Sequence, residues 1–234
     1  MPVTLATIRA VARRIADGVE VTPCLESIPL SELTGAQVFC KLDNEQCTGS
    51  FKERGARNVL LQLSPTQRRR GVIDASVGNH ALGLAYHGQL LKIPVNVVMP
   101  QTATLIKVTI CRRLGAKIVL HGENFAAAKK EADARAERDN LAYIHGFDDD
   151  AIIAGQGTMA LEILKQVPKV DVIVAPIGGA GLIAGIAITA KKIRASIKII
   201  GVGSSATSSY LAALKKGASV TIPPHATLAE GLAV

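Results

Sequence analysis

The chain has 234 residues, 48% hydrophobic and 20% charged, which is ordinary for a globular protein with one sizeable core or two small ones. Aromatic residues make up only 3%, so the core must be built from Val, Ile, Leu and Ala, the residues typical of parallel sheets covered by helices. The formal net charge is +8, but the basic residues are dispersed and lack aromatic platforms for base stacking, so we expect no nucleic-acid partner.

The four cysteines show no C-x-x-C pair and no histidine at metal-ligand spacing, which excludes a disulfide framework and a zinc site. We expect reduced cysteines in a cytoplasmic protein, because the N-terminus lacks the apolar stretch of a signal peptide. Residues 172–190 carry no charge and have the length of a membrane span. Pro176 and four glycines in that run favour a strand, a turn and a buried helix instead, so we expect no membrane partner.

Short β-branched runs alternate with longer amphipathic segments along the chain, and this alternation predicts helices that connect parallel strands. Residues 64–67 have the cap, first-turn proline and N3 glutamine of a helix start, before a basic run at 68–70 that we interpret as a solvated helix end. An Ala-, Lys- and Glu-rich segment at 124–140 predicts a surface helix, and 146–150 is a candidate domain crossing. The predicted strands are Val72–Ala75, Val95–Met99, Lys117–Leu120, 141–144, 170–175 and Lys198–Val202.

Three glycine-bearing turns have the arrangement that binds anions: T-G-S-F-K-E-R-G-A at 48–56, A-S-V-G-N-H at 75–80, and P-I-G-G-A-G-L at 176–182. Each is predicted to follow a strand and to begin a helix, whose first N–H groups attract phosphate or carboxylate. The third turn also fits the dinucleotide fingerprint G-x-G-x-x-[GA]. A dinucleotide-binding module is the weaker alternative, because Gly203 follows the next strand where a ribose-binding acid is needed.

These turns, together with I-A-G-Q-G-T at 153–158, resemble the threonine/serine dehydratases, a family of fold-type-II enzymes that depend on pyridoxal phosphate (PLP) and include serine racemases. The resemblance runs from about Thr22 to the last residue. It implies an α/β fold with two parallel-sheet domains. The smaller, substrate-carboxylate domain is expected at 71–147, and the larger, PLP-binding domain at 1–70 and 148–234.

The resemblance also implies a role for each motif. Lys52 is expected to hold PLP as a Schiff base, with Phe51 packed against the cofactor ring, and Asn79 to hydrogen-bond the ring hydroxyl. The run at 154–158 is expected to serve helix entry and active-site packing. The phosphate is expected on Gly178, Gly179, Ala180, Gly181 and Leu182, and the substrate carboxylate on Ser76, Val77, Gly78, Asn79 and His80. Ala180 stands where the family usually has glycine, and would strain the turn if its φ were positive.

The implied reaction is that of an ammonia-lyase, which converts L-threonine to 2-oxobutyrate or L-serine to pyruvate and releases ammonia. Burial and the neighbouring Arg54 should lower the pKa of Lys52, so that its amine can bind PLP and later take the Cα proton of the substrate. In racemase relatives a serine at the position of Val77 serves the opposite face of the substrate, so valine favours elimination over racemisation. His80 is more readily interpreted as structural than as an acid or base.

Two departures from the family limit the prediction. Relatives that bind a divalent cation carry acids where this chain has Gly203 and Ser209, so we expect no metal there. Residues 227–234 match a point about two-thirds to three-quarters through the family's catalytic domain, which implies an incomplete larger domain that folds poorly and turns over little by itself. An inactive remnant or fragment and a serine racemase are therefore alternatives, and a homo-oligomer is expected for a full-length form.

Overall fold

The computed structural model describes residues 2–218, 220, 222 and 227–232, which form an α/β fold. None of the helices in these ranges is both long and apolar enough to cross a membrane. The helices are α1 Leu5–Ile15, α2 Ile28–Thr34, α3 Lys52–Gln62, α4 Pro65–Arg70, α5 Asn79–Leu91, α6 Leu105–Arg113, α7 Phe125–Asp139, α8 Asp150–Gln166, α9 Gly181–Ile193 and α10 Ser209–Lys216. The strands are β1 Cys24–Glu26, β2 Phe39–Lys41, β3 Val72–Ala75, β4 Val95–Met99, β5 Lys117–Leu120, β6 Ala142–Tyr143, β7 Val172–Pro176 and β8 Lys198–Val202.

The strands of the described residues form two parallel sheets and one antiparallel pair. The largest sheet has the order β5-β4-β3-β6 and is parallel throughout, with Val72 opposite both Val95 and Ala142. Strands β7 and β8 form a second parallel sheet, and β1 pairs with β2 in antiparallel orientation. The first sheet lies within the range predicted for the smaller domain, but the division of the chain into 71–147 and its two flanks stays a prediction.

Four of the six predicted strands have the predicted bounds, and two differ. The strand expected at 141–144 is confined to Ala142–Tyr143, and the one expected at 170–175 begins later and ends at Pro176. A proline can end a strand because its missing N–H is then not needed by the ladder. The surface helix is confirmed as α7, where the side chain of Asn124 accepts from the N–H of Ala127 and Asn140 ends the helix at positive φ.

Helix α3 packs closely between α5 and α8, and glycines make this possible. A side chain on Gly155 of α8 would lie 2.7 Å from the carbonyl oxygen of Arg54, so only glycine allows the two backbones to approach. On the other side, a side chain on Gly83 of α5 would lie 3.3 Å from the carbonyl carbon of Lys52. Gly83 thus fixes the first residue of α3, and Gly155 of the motif at 154–158 fixes the first turn of that helix from the other side.

Candidate active site

Lys52 begins helix α3, and its amine is largely withdrawn from water. The turn comes after β2 and begins α3, with a 3-10 turn, Asp43–Glu45, and residues 46–51 between the strand and the helix. The Nζ atom donates a hydrogen bond of 2.6 Å to the carbonyl oxygen of Gly146 and lies 5.5 Å from the ring centroid of Phe51. Burial lowers the pKa of Lys52 to about 8. At pH 7 about a tenth of the amine is therefore uncharged, far more than for a lysine with an ordinary pKa.

The predicted influence of Arg54 on this amine is not found. The guanidinium of Arg54 is bound by two carboxylates, with its Nε 2.7 Å from Oδ2 of Asp43 and its Nη1 2.5 Å from Oε1 of Glu162. Its positive charge is therefore compensated where it lies, and the charge that acts on Lys52 is that of Asp74, which favours the ammonium form. Desolvation alone accounts for the lowered pKa of Lys52.

The turn at 75–80 leads from strand β3 into helix α5, as predicted. The hydroxyl of Ser76 accepts from the N–H of Gly78 at 3.3 Å, while the N–H groups of Val77, Asn79 and His80 have no acceptor among the described residues. Such unpaired donors at a helix N-terminus are suited to a carboxylate. His80 itself is buried, and burial lowers its pKa to about 3, so its imidazole is neutral at physiological pH.

The turn at 176–182 leads from β7 into α9 in the same way. The backbone N–H groups from 178 to 183 have no hydrogen-bond acceptor within the part of the chain that the structure describes. Ala180 is the N-cap of α9 and has φ +66°, the left-handed region that favours glycine. Strain in this turn was expected if the φ of Ala180 were positive. Because that φ is positive, the strain is present.

Gly146 and Phe147 connect the two sides of the site. A side chain on Gly146 would lie 3.3 Å from the His80 ring, next to the carbonyl that accepts from Lys52. A side chain on Gly179 would overlap the Phe147 ring, and one on Gly181 would lie 2.6 Å from the carbonyl oxygen of Phe147. Lys52 thus contacts Gly146, and the glycine turn contacts the next residue, Phe147. The sequence predicted only a domain crossing in this segment.

Three further residues of the site were not foreseen. Gly146 and Phe147 carry no reactive group, so nothing in the sequence pointed to them. Asp74 could have been noticed, because it is an acid within the otherwise apolar strand β3. Its side chain is buried and its Oδ2 lies 3.8 Å from Nε2 of His80.

The described residues fit a group that carries an aldehyde and a phosphate. A buried amine of lowered pKa at Lys52 is suited to react with the aldehyde, and the orphaned N–H groups at the start of α9 are suited to a phosphate. Phe51 is half-buried against the core that contains Leu182, so lysine and turn share one hydrophobic support. Asn79 is exposed as the first residue of α5.

Comparison with known proteins agrees with this fit. Residues 15–234 match the family described as "Pyridoxal-phosphate dependent enzyme". The L-threonine ammonia-lyase of Thermotoga maritima is 41% identical over 232 residues, which are 99% of this chain and 58% of that protein. The catabolic L-threonine dehydratase TdcB of Staphylococcus aureus is 39% identical over 230 residues, which are 98% of this chain and 66% of that protein. The chain thus spans less than two-thirds of the length of these relatives.

Solved structures show the same fold. The processed form of threonine deaminase isoform 2 from Solanum lycopersicum has a TM-score of 0.93 and 36% identity, with 100% of this chain and 70% of that chain covered. Maize serine racemase has a TM-score of 0.95 and 33% identity, with 99% and 70% covered. The predicted fold class is confirmed.

Proposed function

The chain belongs to the family of pyridoxal-phosphate dependent enzymes, and we propose that it acts as an ammonia-lyase that converts L-threonine to 2-oxobutyrate or L-serine to pyruvate. One observation carries the proposal: the buried amine of Lys52 faces Gly146, next to the residue that packs on the glycine turn of α9. Gly146 contacts the amine of Lys52, and Phe147 contacts the turn whose N–H groups are suited to a phosphate. The names of the relatives above support a lyase, while the choice between threonine and serine stays part of the proposal.

In this proposal each motif holds one part of the reactants. Lys52 would hold PLP through its amine, Phe51 would pack beside the ring, and Asn79 would hydrogen-bond the ring hydroxyl. The phosphate is held by the backbone N–H groups of Gly178, Gly179, Ala180, Gly181 and Leu182. The carboxylate of the amino acid is held by Ser76, Val77, Gly78, Asn79 and His80. When bound, PLP acts as an electron sink that stabilises negative charge at Cα of the amino acid.

Lys52 is the residue to which we assign the proton transfer. Burial lowers the pKa of its amine to about 8, which suits this amine to take the proton from Cα. His80 is not given this role, because its Nε2 faces the carbonyl oxygen of Ile144 at 3.4 Å and its pKa is lowered by burial to about 3. A neutral histidine in that position supports the segment that leads to Gly146.

A serine racemase is the second candidate, supported by the structural similarity to the maize enzyme. Racemisation needs an acid–base group on each face of the planar Cα, and Lys52 serves one face only. Val77, which is half-buried beside the core of the first sheet, has no proton to donate at the position where racemases are expected to carry serine. Elimination has no such requirement, which favours the lyase.

The remaining expectations belong to the same proposal. The partner is a small amino acid, the division into domains follows 71–147 and its flanks, and a cytoplasmic homo-oligomer is proposed for a full-length form. Among the described residues no cluster of histidine, cysteine and acidic side chains suits a metal ion. We propose that the lyase binds no metal ion at the position of Gly203 and Ser209.

The test is to add PLP to the purified chain and to follow the visible spectrum, the keto acid and ammonia. A lyase gives an absorbance change on PLP binding, and then 2-oxobutyrate from L-threonine or pyruvate from L-serine. Lys52→Met is the matched control, in which both signals should be lost. Binding of PLP without any keto acid would indicate the inactive remnant, rapid D-serine formation the racemase, and binding of a nicotinamide dinucleotide in place of PLP the weakest alternative.

A further inference from the structure

Asp74 is a buried acid on the strand that leads into the candidate active site. Its side chain is 3% exposed, and its Oδ2 atom has no hydrogen-bond partner among the described residues. Val72, two positions earlier and so on the same face of β3, packs in a core with Ala56 of α3 and Ala81 of α5. Asp74 therefore points from the sheet toward the helices that carry Lys52 and His80.

A short series of contacts leads from this carboxyl group to the amine. Oδ2 of Asp74 lies 3.8 Å from Nε2 of His80, and the His80 ring lies against Gly146, whose carbonyl oxygen accepts from Nζ of Lys52 at 2.6 Å. Gly83, three positions after His80 and hence on the same face of α5, lies against the backbone of Lys52. The carboxyl group thus lies behind His80 as seen from the amine, and is closed off from solvent.

A buried carboxylate with an unpaired oxygen such as Oδ2 of Asp74 is costly unless a nearby positive charge compensates it, although the backbone N–H of Ala75 also favours its ionised form. Burial lowers the pKa of both neighbouring histidines, to about 3 for His80 and in the same direction for His145, so neither is a cation at neutral pH. Burial raises the pKa of Tyr143, the nearby phenol on β6, which stays neutral. Lys129 of α7 lies over the Tyr143 ring, which packs with Ile73 on the other face of β3. The ammonium of Lys52 is the positive charge that favours the ionised form of Asp74.

The charge states of the two groups are linked in both directions. Burial raises the pKa of Asp74 to about 8, and the charge of Lys52 opposes this rise. Burial lowers the pKa of Lys52 to about 8, and the charge of Asp74 opposes that fall. Above this range Asp74 is ionised, and its negative charge then resists the loss of the last proton from the amine.

We propose that Asp74 is a positioning residue for Lys52: from its place behind His80, its ionised carboxylate sets the pH at which the Lys52 amine loses its proton and becomes free to react. The carboxylate touches neither PLP nor the amino acid in this role. It acts through the amine that does. The proposal uses only the position of Lys52 and holds whether or not the chain is a lyase.

The test is the reactivity of the amine in the absence of PLP. Brief acetylation at a series of pH values, followed by peptide mass spectrometry, gives the rate at Lys52 relative to the exposed Lys198. In Asp74→Asn the midpoint of the Lys52 profile should move to lower pH by about one unit, because the opposing charge is gone. Ile73→Val is the matched control, since its side chain belongs to the core on the other face of β3 and should leave the midpoint unchanged. An unchanged midpoint in folded Asp74→Asn overturns the proposal.

A second measurement serves if the asparagine variant does not fold. In protein labelled with ¹³C at the aspartate carboxyl groups, one carboxyl should titrate near pH 8, far above the range of an exposed aspartate. In Lys52→Met this carboxyl should titrate at still higher pH, because the ammonium that favoured its ionisation is absent. A profile that is the same with and without Lys52 contradicts the link between the two residues.

Discussion

The amine of Lys52 donates to the carbonyl oxygen of Gly146 across 94 positions of the chain. The next residue, Phe147, places its ring against Gly179 and its carbonyl oxygen against Gly181. A displacement of the segment at 146–147 would therefore move the amine and the glycine turn together.

Reduction with borohydride in the presence of PLP should attach the cofactor irreversibly to Lys52. The reason is that its amine is buried, with a pKa lowered to about 8, while exposed lysines remain ammonium ions that react slowly with an aldehyde. Peptide mass spectrometry locates the adduct, and Lys52→Met should yield none. An adduct found mainly on another lysine would contradict the assignment of Lys52 as the PLP-binding residue.

Ala180→Gly should tighten PLP binding by up to about 1 kcal/mol, because glycine adopts the observed φ of +66° without strain. The dissociation constant is measured by titrating PLP against the visible absorbance of the protein. The same variant should raise the midpoint of thermal unfolding or leave it unchanged.

Ala184→Gly is the matched control, since this residue lies within α9 one turn further on. Glycine inside a helix costs about 0.5–1 kcal/mol relative to alanine, so the control should unfold at lower temperature. If both glycine variants lose stability to the same degree, the left-handed backbone at Ala180 is not a source of strain.

The positions of the three turns along the chain could be predicted, but their convergence could not. Short runs rich in Val and Ile predict β3, β4, β5 and β8 at their bounds, because such runs are typical of parallel strands even where one polar residue, such as Asp74 in β3, interrupts them. The antiparallel pair of β1 and β2 was missed, since strands of three residues carry too little pattern. No sequence pattern predicts that Gly146 lies beside Lys52, because this contact depends on the path of the chain after β6.

The error about Arg54 has a similar cause. The sequence places this cation two positions after Lys52, and proximity along the chain suggested that its charge would act on the amine. In the fold, its guanidinium instead meets Asp43 and Glu162, of which the second comes 108 positions later. Asp74, which does act on Lys52, is 22 positions away in sequence, and no local spacing rule joins the two.

Gly179→Ala should weaken PLP binding by about tenfold, because the added methyl group overlaps the Phe147 ring and displaces a turn whose N–H groups are to bind the phosphate. Phe147→Ala in the same chain removes the overlap and should restore most of the lost affinity. The measurement is a double-mutant cycle of PLP dissociation constants. Independent, additive effects of the two substitutions would show that the ring does not limit position 179.

Arg54→Met should lower the free energy of unfolding by about 3–5 kcal/mol, because it leaves the buried Asp43 carboxylate without its salt-bridge partner, while Glu162 keeps its 2.5 Å pair with Lys41. Asp133→Asn is the matched control on the surface, where the 2.8 Å pair with Lys129 should contribute less than about 1 kcal/mol. Both values are read from urea unfolding at neutral pH.

The same pair of residues predicts an acid dependence. Burial acts to raise the pKa of Asp43, but the hydrogen bond and charge of Arg54 outweigh it, and the pKa in the folded protein is lowered. Since the folded pKa lies below the unfolded one, this stabilisation is present above the unfolded pKa and is lost as pH falls through the folded pKa. The difference in stability between the unmodified chain and Arg54→Met should therefore shrink in acid. A difference that is constant with pH would mean that Asp43 is not stabilised as an anion by Arg54.

Val77→Ser should raise the fraction of L-serine that is racemised rather than eliminated. Lys52 takes and returns a proton on one face of Cα, and inversion requires a donor on the other face, which valine does not supply. A hydroxyl group at position 77, in the turn proposed for the substrate carboxylate, adds such a donor. Val77→Ala is the control, because it also removes the branched valine side chain but adds no hydroxyl group. In a full-length form of the protein we expect pyruvate and ammonia as the main products without substitution, D-serine from Val77→Ser measured by chiral chromatography, and no increase in D-serine from Val77→Ala. Rapid D-serine formation by the unmodified enzyme would overturn the preference for elimination.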